Sequence, residues 1–127
     1  MARIIIVDDF EQNRNNLMTA LQMWGHKVVG VASTREAAIV EAKLAKEKGA
    51  EVAIVDGNLK SGASGAEDGR AVSAKLQEYA PDVYIIAYTL QEDDKYGHCS
   101  VSKSSPSSMK EMKAAIEKAL AMSPKVT

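Results

Sequence analysis

The sequence predicts an α/β fold: a parallel sheet of five strands with helices on both faces. Two observations carry this. Short apolar runs, rich in β-branched residues, alternate five times with longer stretches of helical periodicity. Four of the five runs are followed at once by a polar or charged residue: Asp8-Asp9, Asp56, Thr89 and Lys103. Right-handed crossovers place all strand C-termini on one edge of such a sheet, where α/β folds carry their sites.

Ile4 to Val7 is short, apolar and bounded by polar residues, so it reads as a fully buried strand. Residues 10–24 follow as a helix, with Leu17, Leu21 and Trp24 on one stripe and Gly25 at the C-terminal cap. Lys27 to Ala32 is the second strand. Ser33-Thr34-Arg35-Glu36 has capping-box spacing and starts a helix carrying Ala37, Val40 and Leu44, which ends at Lys48-Gly49. Glu51 to Val55 is the third strand, ending at Asp56. Residues 57–69, rich in Gly, Ser and Ala, form a long loop. A helix resumes near Asp68, with Val72, Leu76 and Tyr79 on its apolar stripe, and stops at Ala80-Pro81-Asp82. Val83 to Tyr88 is the fourth strand, closing on Thr89. Residues 90–97 are polar and leave room for only about two helical turns. His98 to Ser102 is a short fifth strand, followed by Lys103. Ser108-Met109-Lys110-Glu111 again has capping-box spacing. The last helix carries Met109, Met112, Ile116, Ala119 and Leu120.

The 127 residues suit one domain, with 46% hydrophobic and 26% charged. A net charge of −1 gives no support to a general nucleic-acid or anionic-membrane surface. One cysteine allows no internal disulfide and fits a reducing cytosol. No apolar run reaches the roughly 18 residues of a membrane span, and no signal peptide is recognisable. The expected location is cytoplasmic.

Three carboxylates converging on one edge repel one another and raise each other's proton affinity. A hard divalent cation such as Mg²⁺ offsets that repulsion, using one or two carboxylates plus a phosphate oxygen. Lys103 adds an ammonium and Thr89 a hydroxyl, so the set could hold a phosphoryl group, with a central carboxylate as its covalent acceptor. Bland readings stand beside this. Asp8 or Asp9 alone could simply cap the following helix, Thr89 could be a turn residue, and Lys103 a solvated surface lysine. Cys99 reads as a small hydrophobe. His98 lacks neighbours at zinc-ligand spacing. Gly62, Gly65 and Gly69 form neither GxGxxG nor a P-loop. A flavin or cobalamin carrier of this architecture would need a phosphate-cradling loop after the first strand, which Asp8-Asp9 opposes, or a base-off His motif, for which His26 and His98 are in the wrong places.

Together these residues resemble the receiver domain of two-component response regulators. Ile4-Ile5-Ile6-Val7-Asp8-Asp9 is similar to the family's first strand and acidic pair. Ala53-Ile54-Val55-Asp56 is similar to its phosphoacceptor strand, and Asp68-Gly69 to the start of its third helix. Ile85-Ile86-Ala87-Tyr88-Thr89 and Val101-Ser102-Lys103 resemble its Thr/Ser and Lys segments. The resemblance implies a flavodoxin-like, doubly wound sheet in the order 2-1-3-4-5, with residues 1–122 as the receiver domain and 123–127 as a short tail. It implies that Asp56 accepts a phosphoryl group from a phosphohistidine on a sensor histidine kinase or histidine phosphotransfer protein. Mg²⁺ would be held by Asp9, by Asp8 largely through water, by Asp56 and by the backbone carbonyl of Asn58. Lys103 and Thr89 would bind phosphoryl oxygens, and Asn58 and Gln91 would tune phosphoryl lifetime. The chain would be a signalling phosphoacceptor rather than a turnover enzyme, acting on an unidentified downstream protein without an attached output domain. The alternative is a pseudo-receiver that binds its partner without phosphorylation.

Several positions depart from that pattern. The stretch from Asp56 to Gly69 is longer than the family usually has. The stretch from Thr89 to Lys103 is short by roughly two helical turns, so the helix between the fourth and fifth strands is expected to be short or absent. Leu90 stands where a small residue is preferred. Ser100 stands in place of the switch Tyr or Phe, leaving Tyr96 or His98 as the nearby substitutes. Lys103 precedes Ser104 rather than proline. A cis Lys-Ser bond costs about 3 kcal/mol, so trans is expected.

Overall fold

A computed structural model describes residues 2–57, 59, 67–90 and 96–122. Its strands are β1 (Arg3–Val7), β2 (Lys27–Ala32), β3 (Val52–Asp56), β4 (Tyr84–Thr89) and β5 (Cys99–Ser102). They form one sheet in the order β2-β1-β3-β4-β5, and every neighbouring pair is parallel. This is the expected flavodoxin-like order. The helices among the described residues are α1 (Glu11–Met23), α2 (Arg35–Leu44), α3 (Glu67–Tyr79) and α4 (Ser108–Met122).

Alternation along the strands sends side chains to two cores. Ile4, Ile6, Ile54, Ile86 and Val101 face Leu17 and Leu21 of α1 and Met112 and Ile116 of α4. Ile5, Val7, Ala53, Val55 and Ile85 face Ala38 and Ala42 of α2 and Val72 and Leu76 of α3. The central β3 is buried throughout, which explains its unbroken apolar run. Its last residue, Asp56, is therefore carried to the sheet edge by a strand with no solvent-facing side.

Two expectations about α2 shift. Thr34 rather than Ser33 is its N-cap, with its hydroxyl accepting from Ala37 N at 3.1 Å. Its buried ridge is Ala38 and Ala42, while Val40 is 54% exposed. Small residues there let α2 and α3 pack side by side. At α4, Glu111 reaches past the expected box to accept from the Ser105 and Ser107 hydroxyls at 2.6 and 2.7 Å.

Between β4 and β5, residues 91–95, including Gln91, lie outside the described set. No helix occurs among the described residues of that connection. Ser100 on β5 is exposed, and half-buried Tyr96 packs its ring onto the α2–α3 core. Gly97 has φ +74 and lies so close to Ile85 that a Cβ would come within 2.9 Å of its carbonyl oxygen, so only glycine fits. Every peptide bond described is trans, Lys103–Ser104 included.

Candidate functional site

Asp8, Asp9, Asp56, Thr89 and Lys103 meet at the C-terminal edge of β1, β3, β4 and β5. The carboxylates of Asp8, Asp9 and Asp56 each offer an oxygen within 4.8 Å of the others. Lys103 Nζ lies 2.9 Å from Asp8 Oδ2 and 3.1 Å from Asp56 Oδ1. It also sits 5.3 Å from the centre of the Tyr88 ring, a favourable cation–π distance. The Lys103 side chain is only 11% exposed, which excludes a solvated surface lysine. Its backbone N–H donates to the Thr89 carbonyl at 2.8 Å, and Thr89 is buried beside it.

The capping reading of the acidic pair holds only in part. The N-cap of α1 is Phe10, with no side-chain cap bond, so neither Asp caps the helix. Asp8 Oδ1 does accept from Phe10 N at 2.9 Å, which fixes the turn leading into α1. Its other oxygen faces Lys103, with Asn13 Nδ2 at a marginal 3.5 Å. Arg14 donates to the Asp8 carbonyl at 3.0 Å. Asn13 and Arg14 were not singled out in the sequence. Their spacing from Asp8, one helical turn into α1, is the only signal that could have found them.

The site opens into a cavity of about 540 Å³ lined by Asp9, Phe10, Asn13, Asp56, Thr89, Leu90 and Lys103. Phe10 and Leu90 are both exposed at its rim, so Leu90 does stand at the entrance. A larger groove of about 630 Å³ runs along β2 beside Met18, His26 and Val31, but it lacks converging carboxylates.

Burial raises the Asp56 carboxyl to about 7 from an ordinary 3.8. Lys103 opposes the shift, while Asp8's charge and the hydrogen bond that protonated Asp56 donates to Asp9 reinforce it. Lys103 behaves oppositely: burial lowers its proton affinity, but Asp56 and Asp8 outweigh burial and raise it. The metal-free folded state thus binds a proton at Asp56 that the unfolded chain has released. That stabilisation is complete below about pH 4 and is lost as pH rises through about 7. Metal-free protein is expected to melt at a lower temperature at about pH 8 than at about pH 5, and Asp56→Asn to shrink that difference. A thermal-melt series in EDTA measures both.

The opening of the β3–α3 connection is fastened by α3. Asp68, fully buried, accepts from Leu59 N at 2.7 Å and from Arg35 Nε at 2.7 Å. Gly69 N donates to Gly57 O at 2.8 Å. Asn58 lies outside the described residues. The oxygen-only donor set of Asp8, Asp9 and Asp56 suits a hard cation such as Mg²⁺.

The family model for the response regulator receiver domain matches residues 4–104. No curated protein matches the chain. Among solved structures, the receiver domain of the PhyR response regulator from Erythrobacter litoralis is similar, with a TM-score of 0.74 and 26% identity over 99% of this chain and 95% of that one. The signal receiver domain of a modulated diguanylate cyclase from Desulfovibrio desulfuricans G20 superimposes with a TM-score of 0.76 at 22% identity, covering 95% and 94% of the two chains. The response regulator TrrA from Thermotoga maritima, solved with Mg²⁺ and BeF, gives 0.75 at 24% identity, covering 94% and 99%. No described helix is long and apolar enough to cross a membrane.

Proposed function

This chain belongs to the response regulator receiver family, and from that premise we propose that Asp56 is a phosphoacceptor loaded from a phosphohistidine in a Mg²⁺-dependent reaction. The observation that carries the reading is one ammonium, Lys103, bridging Asp56 and Asp8 beside a third carboxylate at the mouth of an open cavity. That arrangement is expensive as structure alone, since it buries charges that an apolar edge would avoid.

An Asp56 oxygen attacks the phosphorus of the donor. The new O–P bond forms as the P–N bond to the donor imidazole breaks, and the imidazole keeps the bonding pair. Asp8, Asp9 and Asp56, with the carbonyl of Asn58, would hold Mg²⁺, which neutralises phosphoryl charge when bound. Lys103 exchanges a carboxylate contact for a phosphoryl oxygen, and the Thr89 hydroxyl binds another. Phe10 and Leu90 at the rim offer apolar contact to the protein that brings the phosphohistidine. A sensor kinase or phosphotransfer protein in the cytosol would be that donor. Signalling would then proceed through phosphorylation-dependent binding of a downstream protein, and not through nucleic acid or a membrane. Residues 1–122 would form the receiver, with 123–127 a tail.

The test is intact mass after incubation with acetyl phosphate. One added phosphoryl group is expected with Mg²⁺ and none with excess EDTA. Uptake unaffected by EDTA would reject the metal-dependent reading. A pseudo-receiver would instead gain no phosphoryl group, and its partner binding would be unaffected by Asp56→Asn.

A further inference from the structure

We propose that Tyr96 is a positioning residue for Asp56, tying the phosphoacceptor strand to the β4–β5 connection. The proposal rests on the phosphoacceptor reading above. The Tyr96 hydroxyl donates to the Val55 carbonyl at 2.6 Å. That carbonyl belongs to the peptide group whose nitrogen is Asp56's own. The Tyr96 ring lies directly over Gly69: a Cβ there would sit 2.6 Å from the ring carbon that bears the hydroxyl. Gly69 in turn donates its N–H to the Gly57 carbonyl on the other side of Asp56. The backbone is therefore held at the peptide before Asp56 and at the carbonyl of the residue after it by one assembly, made of Tyr96 and the first turn of α3.

Two sequence features find their reason here. Gly69 lacks a side chain because the tyrosine ring occupies its Cβ position. Ser100 needs no aromatic, because an aromatic reaches the α2–α3 core from residue 96 instead. The two places are not equivalent. A side chain on β5 alternates with the strand's pleat, whereas Tyr96 comes from outside the strand and touches the β3 backbone itself. Phosphoryl transfer depends mostly on placement of the acceptor oxygen, so loosening one of these anchors should slow the reaction without altering the ligand set.

The experiment compares wild type with Tyr96→Phe, Tyr96→Ala and Gly69→Ala. The readouts are the rate of phosphorylation by acetyl phosphate at saturating Mg²⁺, the Mg²⁺ concentration giving half that rate, and the melting temperature. Tyr96→Phe keeps the ring and should melt close to wild type, yet react about tenfold more slowly, as slowly as Tyr96→Ala. Its half-saturating Mg²⁺ should not change. Gly69→Ala, which displaces the ring by crowding, should show a similar fall and guards against an unfolded Tyr96 variant. A wild-type rate in Tyr96→Phe means that the ring is only packing, and overturns the proposal. So does a wild-type rate in Gly69→Ala. A wild-type chain that takes up no phosphoryl group overturns the phosphoacceptor reading and this proposal with it, a result distinct from equal rates in wild type and variant.

Discussion

Replacing Lys103 with methionine is expected to destabilise the metal-free protein at neutral pH by about 3–5 kcal/mol, the cost of removing one partner from a buried ion pair. Lys103 holds both Asp8, which is 1% exposed, and Asp56. Without it, buried Asp8 loses its cation, and Asp56, already raised to about 7 with Lys103 in place, must hold a proton or add a second unpaired charge beside Asp9. Methionine matches the stem in length, so the loss is electrostatic rather than a cavity. The sign of the pH dependence follows. Protonation relieves the repulsion, so Lys103→Met should recover part of its lost stability at about pH 5. Urea unfolding at both pH values measures this. The same variant should slow Mg²⁺-dependent phosphorylation about 100-fold or more, since a preorganised charge aimed at the transferred group is lost. A variant as stable as wild type at both pH values would place Lys103 outside the site's charge balance.

Asp68→Ala is the second large effect, expected to cost about 2–3 kcal/mol. Its carboxylate is fully buried and makes two 2.7 Å bonds, to Leu59 N and to Arg35 Nε. Both partners lose their acceptor at once, and a buried N–H left unpaired alone costs about 1–3 kcal/mol. Arg35 is a third exposed and recovers water, which keeps the total below that of a fully buried pair. The melting temperature reads the loss. A companion Arg35→Met should cost at least as much, because it leaves the fully buried Asp68 carboxylate without its cation, whereas Asp68→Ala removes that charge. A clearly smaller loss in Arg35→Met would mean that the bond from Leu59 N, and not the ion pair, dominates.

The sheet edge was legible in the sequence because strand direction does the placing. Once five buried runs alternate with helices, Asp8, Asp9, Asp56, Thr89 and Lys103 must arrive on one edge, whatever the details of the loops. The shortened β4–β5 connection was legible for a similarly blunt reason, chain length. What escaped notice depends on contacts between residues remote in sequence. Asp68 reads as part of a helix start, and nothing near it announces Arg35 on the neighbouring helix. Tyr96 is legible as a substitute aromatic, but its target is not, because Val55 looks like any strand residue. Val40 fits the helical stripe of α2, but α2 meets α3 through Ala38 and Ala42, a choice that only the neighbouring helix makes. Asp8 joins the edge cluster and fits its capping reading only in part: one oxygen meets Lys103, and the other fixes the turn before α1 without capping the helix.

Intact mass of wild type beside Asp56→Asn, both incubated with acetyl phosphate and Mg²⁺, tests the central claim most directly. Wild type should gain one phosphoryl group and Asp56→Asn none, while the variant remains folded. The same gain in both proteins, or none in wild type, would contradict it.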